Sequence, residues 1–204
     1  NEVYIKTGGN MSRIFFVLGK SCSGKDTIFR YLKEKKELNL KTVVGYTTRP
    51  MRVGEENGKE YFFVDRDELE KLKIEGKIIE CRDYDTVYGI WSYFTVDDGQ
   101  INLGKDNYLY IGTLQSYMEM TKYYGNDVVV PLYIEVETGE RLSRAVKRER
   151  EQSNPKYTEL CRRFIADEED FKEENIRKAG INKRYINGDL DKCISEIVET
   201  IRKI

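Results

Sequence analysis

Residues 19–27 read Gly19-Lys20-Ser21-Cys22-Ser23-Gly24-Lys25-Asp26-Thr27, with two glycines five positions apart and a lysine behind the second. Glycines at this spacing let the backbone turn tightly, so that its N–H groups converge on a phosphate. The lysine brings a mobile positive charge to the outer phosphates, and a hydroxyl after it normally helps to hold Mg²⁺. Here that position is Asp26, and the nearest hydroxyl is Thr27. The flanks decide between a phosphate site and a plain glycine turn. Ile14-Phe15-Phe16-Val17-Leu18 is an apolar run with the character of a buried strand, and Ile28, Tyr31 and Leu32 follow at helical spacing. Strand, glycine loop and helix together put a positive helix end at the phosphates. The loop is therefore read as a nucleotide-phosphate site running from Gly19 to Thr27, with Thr27 as the metal-side hydroxyl. Asp26 suits the dipole of the first helical turn and is an outer-shell metal contact.

The 204 residues suffice for one α/β domain with small inserted lobes. A formal net charge of −1 offers no overall attraction to nucleic acid or to an anionic membrane. The absence of histidine argues against a zinc site or a Cys/His nucleophile. Cys22, Cys81, Cys161 and Cys193 stand far apart, as free thiols do in a reducing cytoplasm. No apolar run approaches a membrane span. Residues 1–10 precede Met11 and are set aside as a non-native prefix, which leaves 11–204 as the folded domain.

Strand-like and helical stretches alternate along the chain. Thr42–Val44, Glu60–Val64, Ile78–Cys81, Asn107–Ile111, Asp127–Val136 and Arg184–Ile186 read as strands. Asp65–Glu75, Thr138–Gln152, Thr158–Ala179 and a closing segment from Asp189 read as helices. Alternation of this kind predicts a mostly parallel sheet covered on both faces.

Two further groups of arginines point to anions. Arg49-Pro50-Met51-Arg52 sets two guanidiniums three residues apart on a stiff turn, a pair able to grip one phosphate; the turn-rich loop behind it delivers the hydroxyl of Tyr61. Arg141, Arg144 and Arg148 fall on one helical face, and Arg162 and Arg163 follow across Ser153-Asn154-Pro155. Interleaved Glu140, Glu149 and Glu151 allow a salt-bridged surface helix; beside a phosphate loop, the cluster reads as a mobile arginine lid.

Taken together these stretches resemble the guanylate kinase family. The glycine loop is similar to that family's phosphate loop, and Thr47-Thr48-Arg49-Pro50-Met51-Arg52 through Tyr61-Phe62-Phe63-Val64 resembles its monophosphate-binding signature over its whole length. Ile78-Ile79-Glu80, Tyr88-Gly89, the arginine-rich helix and Ile186-Asn187-Gly188-Asp189 match in order. The resemblance implies an α/β fold with a P-loop NTPase-type parallel sheet core flanked by helices. To this core it adds a monophosphate-binding lobe at about 45–94 and a helical lid at about 141–165. It implies transfer of phosphate from ATP to GMP or dGMP with Mg²⁺. Small nucleotides are then the partners, with no nucleic acid and no membrane, in the cytoplasm. By position, Gly19, Lys20, Ser21, Cys22, Ser23, Gly24, Lys25, Asp26 and Thr27 hold ATP, with Asn187 near the adenine. Arg49, Arg52, Tyr61 and Tyr88 grip the GMP phosphate, and Glu80 accepts from guanine N1–H and N2–H. Lys25, Arg144, Arg148 and Arg163 act on the transferring group. Alternatives are a monophosphate kinase of other base preference and a non-catalytic module that binds protein.

The chain departs from the family pattern at Gly45 and Ile90, where the family carries hydroxyls facing guanine O6, and at Leu109–Thr113, which lacks an expected aspartate. Asp26, Asp83 or Asp85 would then supply the magnesium-side carboxylate.

Overall fold

The computed structural model describes residues 12–86 and 89–204, so the prefix, Met11 and Tyr88 lie outside the described residues. The core is a five-stranded sheet of β1 (Ile14–Leu18), β2 (Leu40–Thr42), β7 (Asn107–Ile111), β8 (Val129–Glu135) and β9 (Arg184–Ile186). Its strand order is β2-β7-β1-β8-β9, and every pair in it is parallel. β1 is central and has no solvent exposure. Its alternate residues feed opposite layers, because successive side chains on a strand point to opposite faces. Ile14, Phe16 and Leu18 pack with Tyr117 and Met120 of α3 (Leu114–Tyr124) and with Phe171 and Ile176. Phe15 and Val17 pack with Ile28 and Leu32 of α1 (Lys25–Glu34) and with Ile194 and Ile197 of α7 (Leu190–Lys203). Each large apolar side chain so buried stabilises the fold by about 1.5–3 kcal/mol. A continuous apolar run is what a strand covered on both faces requires.

A second sheet, of order β4-β3-β6-β5, is built from β3 (Tyr46–Thr47), β4 (Phe62–Phe63), β5 (Ile78–Thr86) and β6 (Gly89–Val96). β5 and β6 form an antiparallel hairpin, and α2 (Arg66–Ile74) closes the sheet through Leu69 and Leu72 against Phe94 and Val96. The sheet predicted from alternation is therefore two sheets, one parallel and one mixed. β6 and α3 answer to no predicted element, and β5 runs on past Cys81. The helix predicted for Thr158–Ala179 is two: α5 (Tyr157–Asp170) and α6 (Glu173–Lys178). It breaks where the Phe171 ring turns in to stack on Tyr133 at 5.7 Å, and no glycine or proline marks the place. α4 (Thr138–Arg150) precedes α5 and packs on it.

Parallel strands bring their carboxyl ends to one edge, where open α/β sheets bind ligands. Four loops meet along that edge: the glycine loop after β1, Gly112-Thr113 after β7, Glu137 after β8 and Asn187 after β9.

Candidate active site

The glycine loop is shaped by residues distant in sequence. Gly24 has φ 88°, which L side chains adopt rarely, and a Cβ there would run into the side-chain amide of Asn187. That amide donates to the Ser23 carbonyl at 2.8 Å, so Asn187, only 3% exposed, braces the loop from beneath. Cys22 also has positive φ, at 65°. Helices α2, α3, α4 and α7 have their first N–H groups capped by Asp65, Thr113, Glu137 and Asp189, whereas α1, like α5 and α6, has no side-chain cap. Its leading N–H groups are thus available to an anion. Ser23 Oγ is buried with no partner, a second polar atom that a bound phosphate would satisfy. Lys25 Nζ lies 3.5 Å from Asp26 Oδ2, with Asp26 81% exposed, and Thr27 is exposed beside it.

A charged cluster ties the loop to the α4–α5 pair. Arg141, 1% exposed, donates to the Ser21 carbonyl at 3.3 Å and to Asp167 at 3.4 Å. It also pairs with Glu168 and lies over the Phe164 ring at 3.8 Å. Asp167 in turn accepts from the Ser21 N–H at 2.8 Å, and Lys20 pairs with Glu168 at 2.9 Å. Burial opposes ionisation of Glu168, but Lys20 and Arg141 hold its pKa below the usual carboxylate value. Arg141 is therefore a buried tie between the glycine loop and α5.

At the bend after β3 Arg49 is almost fully buried, and its fork is held by Glu55 at 2.6 and 2.7 Å. The rings of Tyr61 and Phe63 lie 5.3 and 5.2 Å from the guanidinium. Glu55 also accepts from the Arg52 N–H, while the Arg52 side chain is exposed. The Tyr61 hydroxyl is pushed up by burial and feels Tyr93, Arg49, Arg82 and, from the glycine loop, Asp26.

Glu80, Arg82 and Tyr84 share one face of β5, since the side-chain period is two. The Glu80 side chain is 1% exposed; it accepts from Thr95 Oγ1 at 2.8 Å and from Arg82 Nε at 3.0 Å. Tyr110 OH meets the same threonine hydroxyl at 2.6 Å. Arg82 Nη1 reaches across to Thr113 Oγ1 at 2.9 Å. Asp83 and Asp85 belong to the opposite face of β5, and Asp83 accepts from Ser92 Oγ at 2.5 Å. Near the missing aspartate, a Cβ on Gly112 would lie 2.7 Å from the Phe16 ring, so that position holds no side chain without a shift. Among the described residues no three His, Cys, Asp or Glu side chains gather as a metal site. Magnesium in phosphoryl-transfer sites needs only one or two protein groups besides the phosphates, so Thr27 with Asp26 is a donor set of the right kind.

Of the other arginines, Arg144 pairs with Glu140 at 2.8 Å and donates to the Asn187 carbonyl at 3.1 Å. Arg148 is exposed, and Arg163 is exposed with a 3.6 Å pairing to Glu159. The structure thus brings Gly19–Thr27, Asn187 and Arg144 together, and sets Arg49, Arg52, Tyr61 and Glu80 on the facing lobe. Arg148 and Arg163 stand at the periphery. Glu55 and Arg82 went unread in the sequence, and Arg141, read there as part of an arginine cluster, is a buried tie. Arg82 carried a signal, its i, i+2 place beside Glu80 on a strand.

A family described as "Guanylate kinase" matches residues 11–203. A guanylate kinase of Porphyromonas gingivalis is 26% identical over 194 residues, 94% of this chain and 97% of that protein. A guanylate kinase of Thermotoga maritima is 34% identical over 119 residues, and the match spans 58% of this chain and 56% of that protein. The crystal structure of guanylate kinase from Anaplasma phagocytophilum superposes with a TM-score of 0.64 over 95% of this chain and 86% of that one. At 22% identity this is a likeness of fold.

Proposed function

Because the chain belongs to the guanylate kinase family, we propose that it moves the γ-phosphoryl group of ATP to GMP or dGMP, releasing ADP and GDP or dGDP. The observation that carries this reading is two anion-ready sites beside one edge: the uncapped start of α1 with the unpartnered Ser23 Oγ, and the Arg49 turn of the lobe that Arg82 ties to the cap of α3. A donor phosphate at the loop and an acceptor phosphate at the lobe would meet between them.

In this reading the uncapped start of α1 and Lys25 hold the ATP phosphates, and Asn187 keeps the loop in register beside the adenine. Arg49 and Arg52 take the acceptor phosphate with Tyr61 and Tyr88, Glu55 orienting the Arg49 fork. Residues of about 45–94 form the monophosphate lobe and about 141–165 the lid. Transfer of this kind needs no covalent nucleophile, since positioning and charge stabilisation supply most of the acceleration. Lys25 is placed for charge developing at the outer phosphates. Arg144, Arg148 and Arg163 join it when the lid closes and water is excluded. Mg²⁺, when bound near Thr27 and Asp26, supplies neutralisation of the phosphate oxygens. The four free cysteines fit a reducing, cytoplasmic setting.

The test is ADP release with ATP against GMP, dGMP, AMP, CMP and UMP. The reading expects GMP or dGMP to lead. Turnover led by AMP or a pyrimidine monophosphate would remove the guanine assignment, and no turnover with any would remove the kinase assignment.

A further inference from the structure

Beside the buried carboxylate of Glu80, the more open group is a guanidinium. Of the Glu80–Arg82 pair, the carboxylate is 1% exposed and the arginine side chain 14% exposed. Glu80 holds Nε, Thr113 holds Nη1, and Nη2 has no acceptor among the described residues. Two anchors on different elements, β5 and the cap of α3, fix the plane of the guanidinium. The free nitrogen is then aimed by the fold and not by a flexible stem. Arg82 also borders a cleft of about 450 Å³ along the edge of β5, towards Thr113, Met118, Asp170 and Lys178. Tyr84, two residues on and 44% exposed, offers a ring beside it for stacking.

Guanine presents three groups along one edge: the O6 acceptor and the N1–H and N2–H donors. A carboxylate can meet only the donors, so O6 needs a donor next to the carboxylate. Arginine is the usual reader of guanine O6 and N7. Adenine presents an amino donor where guanine has O6, and that donor would face the guanidinium without an acceptor. Each Glu80 oxygen keeps a lone-pair site beyond those taken by Thr95 and Arg82. We propose that Arg82 is the specificity-determining residue of the monophosphate site and donates from Nη2 to the 6-oxo group of a purine monophosphate, in the role left open by Gly45 and Ile90. The proposal rests on the guanylate kinase reading above.

The experiment compares kcat/KM for GMP with that for 6-thio-GMP, which keeps N1–H and N2–H but replaces O6 by a poor acceptor. Wild type is expected to prefer GMP by about tenfold. Arg82→Met, which keeps the unbranched stem of the side chain and removes the donor, should lower kcat/KM for GMP at least tenfold. It should also bring the two substrates within twofold of each other, with KM for ATP unchanged. Arg82→Lys should restore part of the preference. Because Arg82→Met leaves Glu80 short of a counter-charge, the neutral double variant Glu80→Gln/Arg82→Met is measured beside it. Its GMP to 6-thio-GMP ratio should collapse equally. An undiminished ratio in either folded variant, or equal wild-type use of both substrates, overturns the role of Arg82 while GMP kinase activity stands. Wild type that fails to phosphorylate GMP overturns both, and that result is read before any variant is made.

Discussion

Glu55 grips the Arg49 guanidinium with both carboxylate oxygens, at 2.6 and 2.7 Å, and takes the Arg52 N–H as well. A single carboxylate thus sets the geometry of the whole arginine turn before any phosphate arrives. The Arg49 fork pushes the Glu55 pKa down to about 2, against an ordinary value of 4.5. A depressed pKa stabilises the fold above the unfolded value, and that contribution is lost as pH falls through about 4.5 towards 2. Glu55→Gln should therefore lower the melting temperature at pH 7, and the gap from wild type should narrow steadily below pH 4.5. Thermal melts across pH 7 to 3 measure it. A gap independent of pH would mean that packing of the loop, and not the ion pair, sets the difference.

Lys25→Ala should fold normally, since its side chain makes only a 3.5 Å contact with the neighbouring Asp26. It should lose about 10²–10³ in kcat, the usual consequence of removing one preorganised donor from developing charge. Steady-state turnover with saturating ATP and GMP checks this. A loss smaller than about tenfold, or 1.4 kcal/mol, would show that the backbone of the loop suffices.

Arg141 forms the tie between the glycine loop and the helices α4 and α5. Arg141→Met removes the partner of Asp167 and Glu168 and the donor to Ser21. Breaking a buried pair costs about 3–5 kcal/mol, and here the lower end applies because Glu168 is 39% exposed. Urea unfolding should show the lost stability without a change in m, and KM for ATP should rise with it. Full stability with a raised KM would assign Arg141 to the nucleotide alone.

The parts of the molecule legible in sequence were those with local signals. The loop glycines, the buried β1 run and the arginine turn each carry their chemistry within ten residues. The ties between them do not. Ser21 and Asp167 are 146 residues apart, and Ser23 and Asn187 are 164 apart, so nothing near either residue announces the pairing. α3 escaped notice because Leu114, Tyr117 and Met120 are mixed with other aromatic and sulfur side chains that blur helical periodicity. β6 has little period-two contrast, and its pairing with β5 supplies the strand character.

Arg148 stands exposed at the far end of α4, while Arg144 is already tied to Asn187. Exposed charges contribute little to stability, so Arg148→Ala should leave the melting temperature almost unchanged. On lid closure, however, the same side chain would meet phosphate with water excluded, where a charge counts for far more. We expect kcat to drop at least tenfold while Kd for ATP alone moves less than threefold. Equal losses in the two would point to general electrostatic attraction of nucleotide.

Gly45 is the departure whose repair the structure allows. A Cβ built there lies 3.4 Å from Tyr110 Oη and 3.6 Å from the Phe94 carbonyl, in ordinary contact, and no positive φ is required. Gly45→Ser should therefore be accommodated, and its hydroxyl enters next to Tyr110, Thr95 and Glu80. One added hydrogen bond is worth about 0.5–1.5 kcal/mol, which predicts a rise in kcat/KM for GMP of about two- to tenfold. Ile90→Ser should add less, because Ile90 is 45% exposed opposite Asp85 near the tip of the β5–β6 hairpin. A hydroxyl can meet the 6-amino group of AMP only as acceptor, and adenine has no N1–H and N2–H pair for Glu80, so the GMP to AMP ratio should rise with GMP turnover. Parallel gains for both substrates would mean that serine acts by stiffening the β3 entry and that the missing hydroxyl never faced the base.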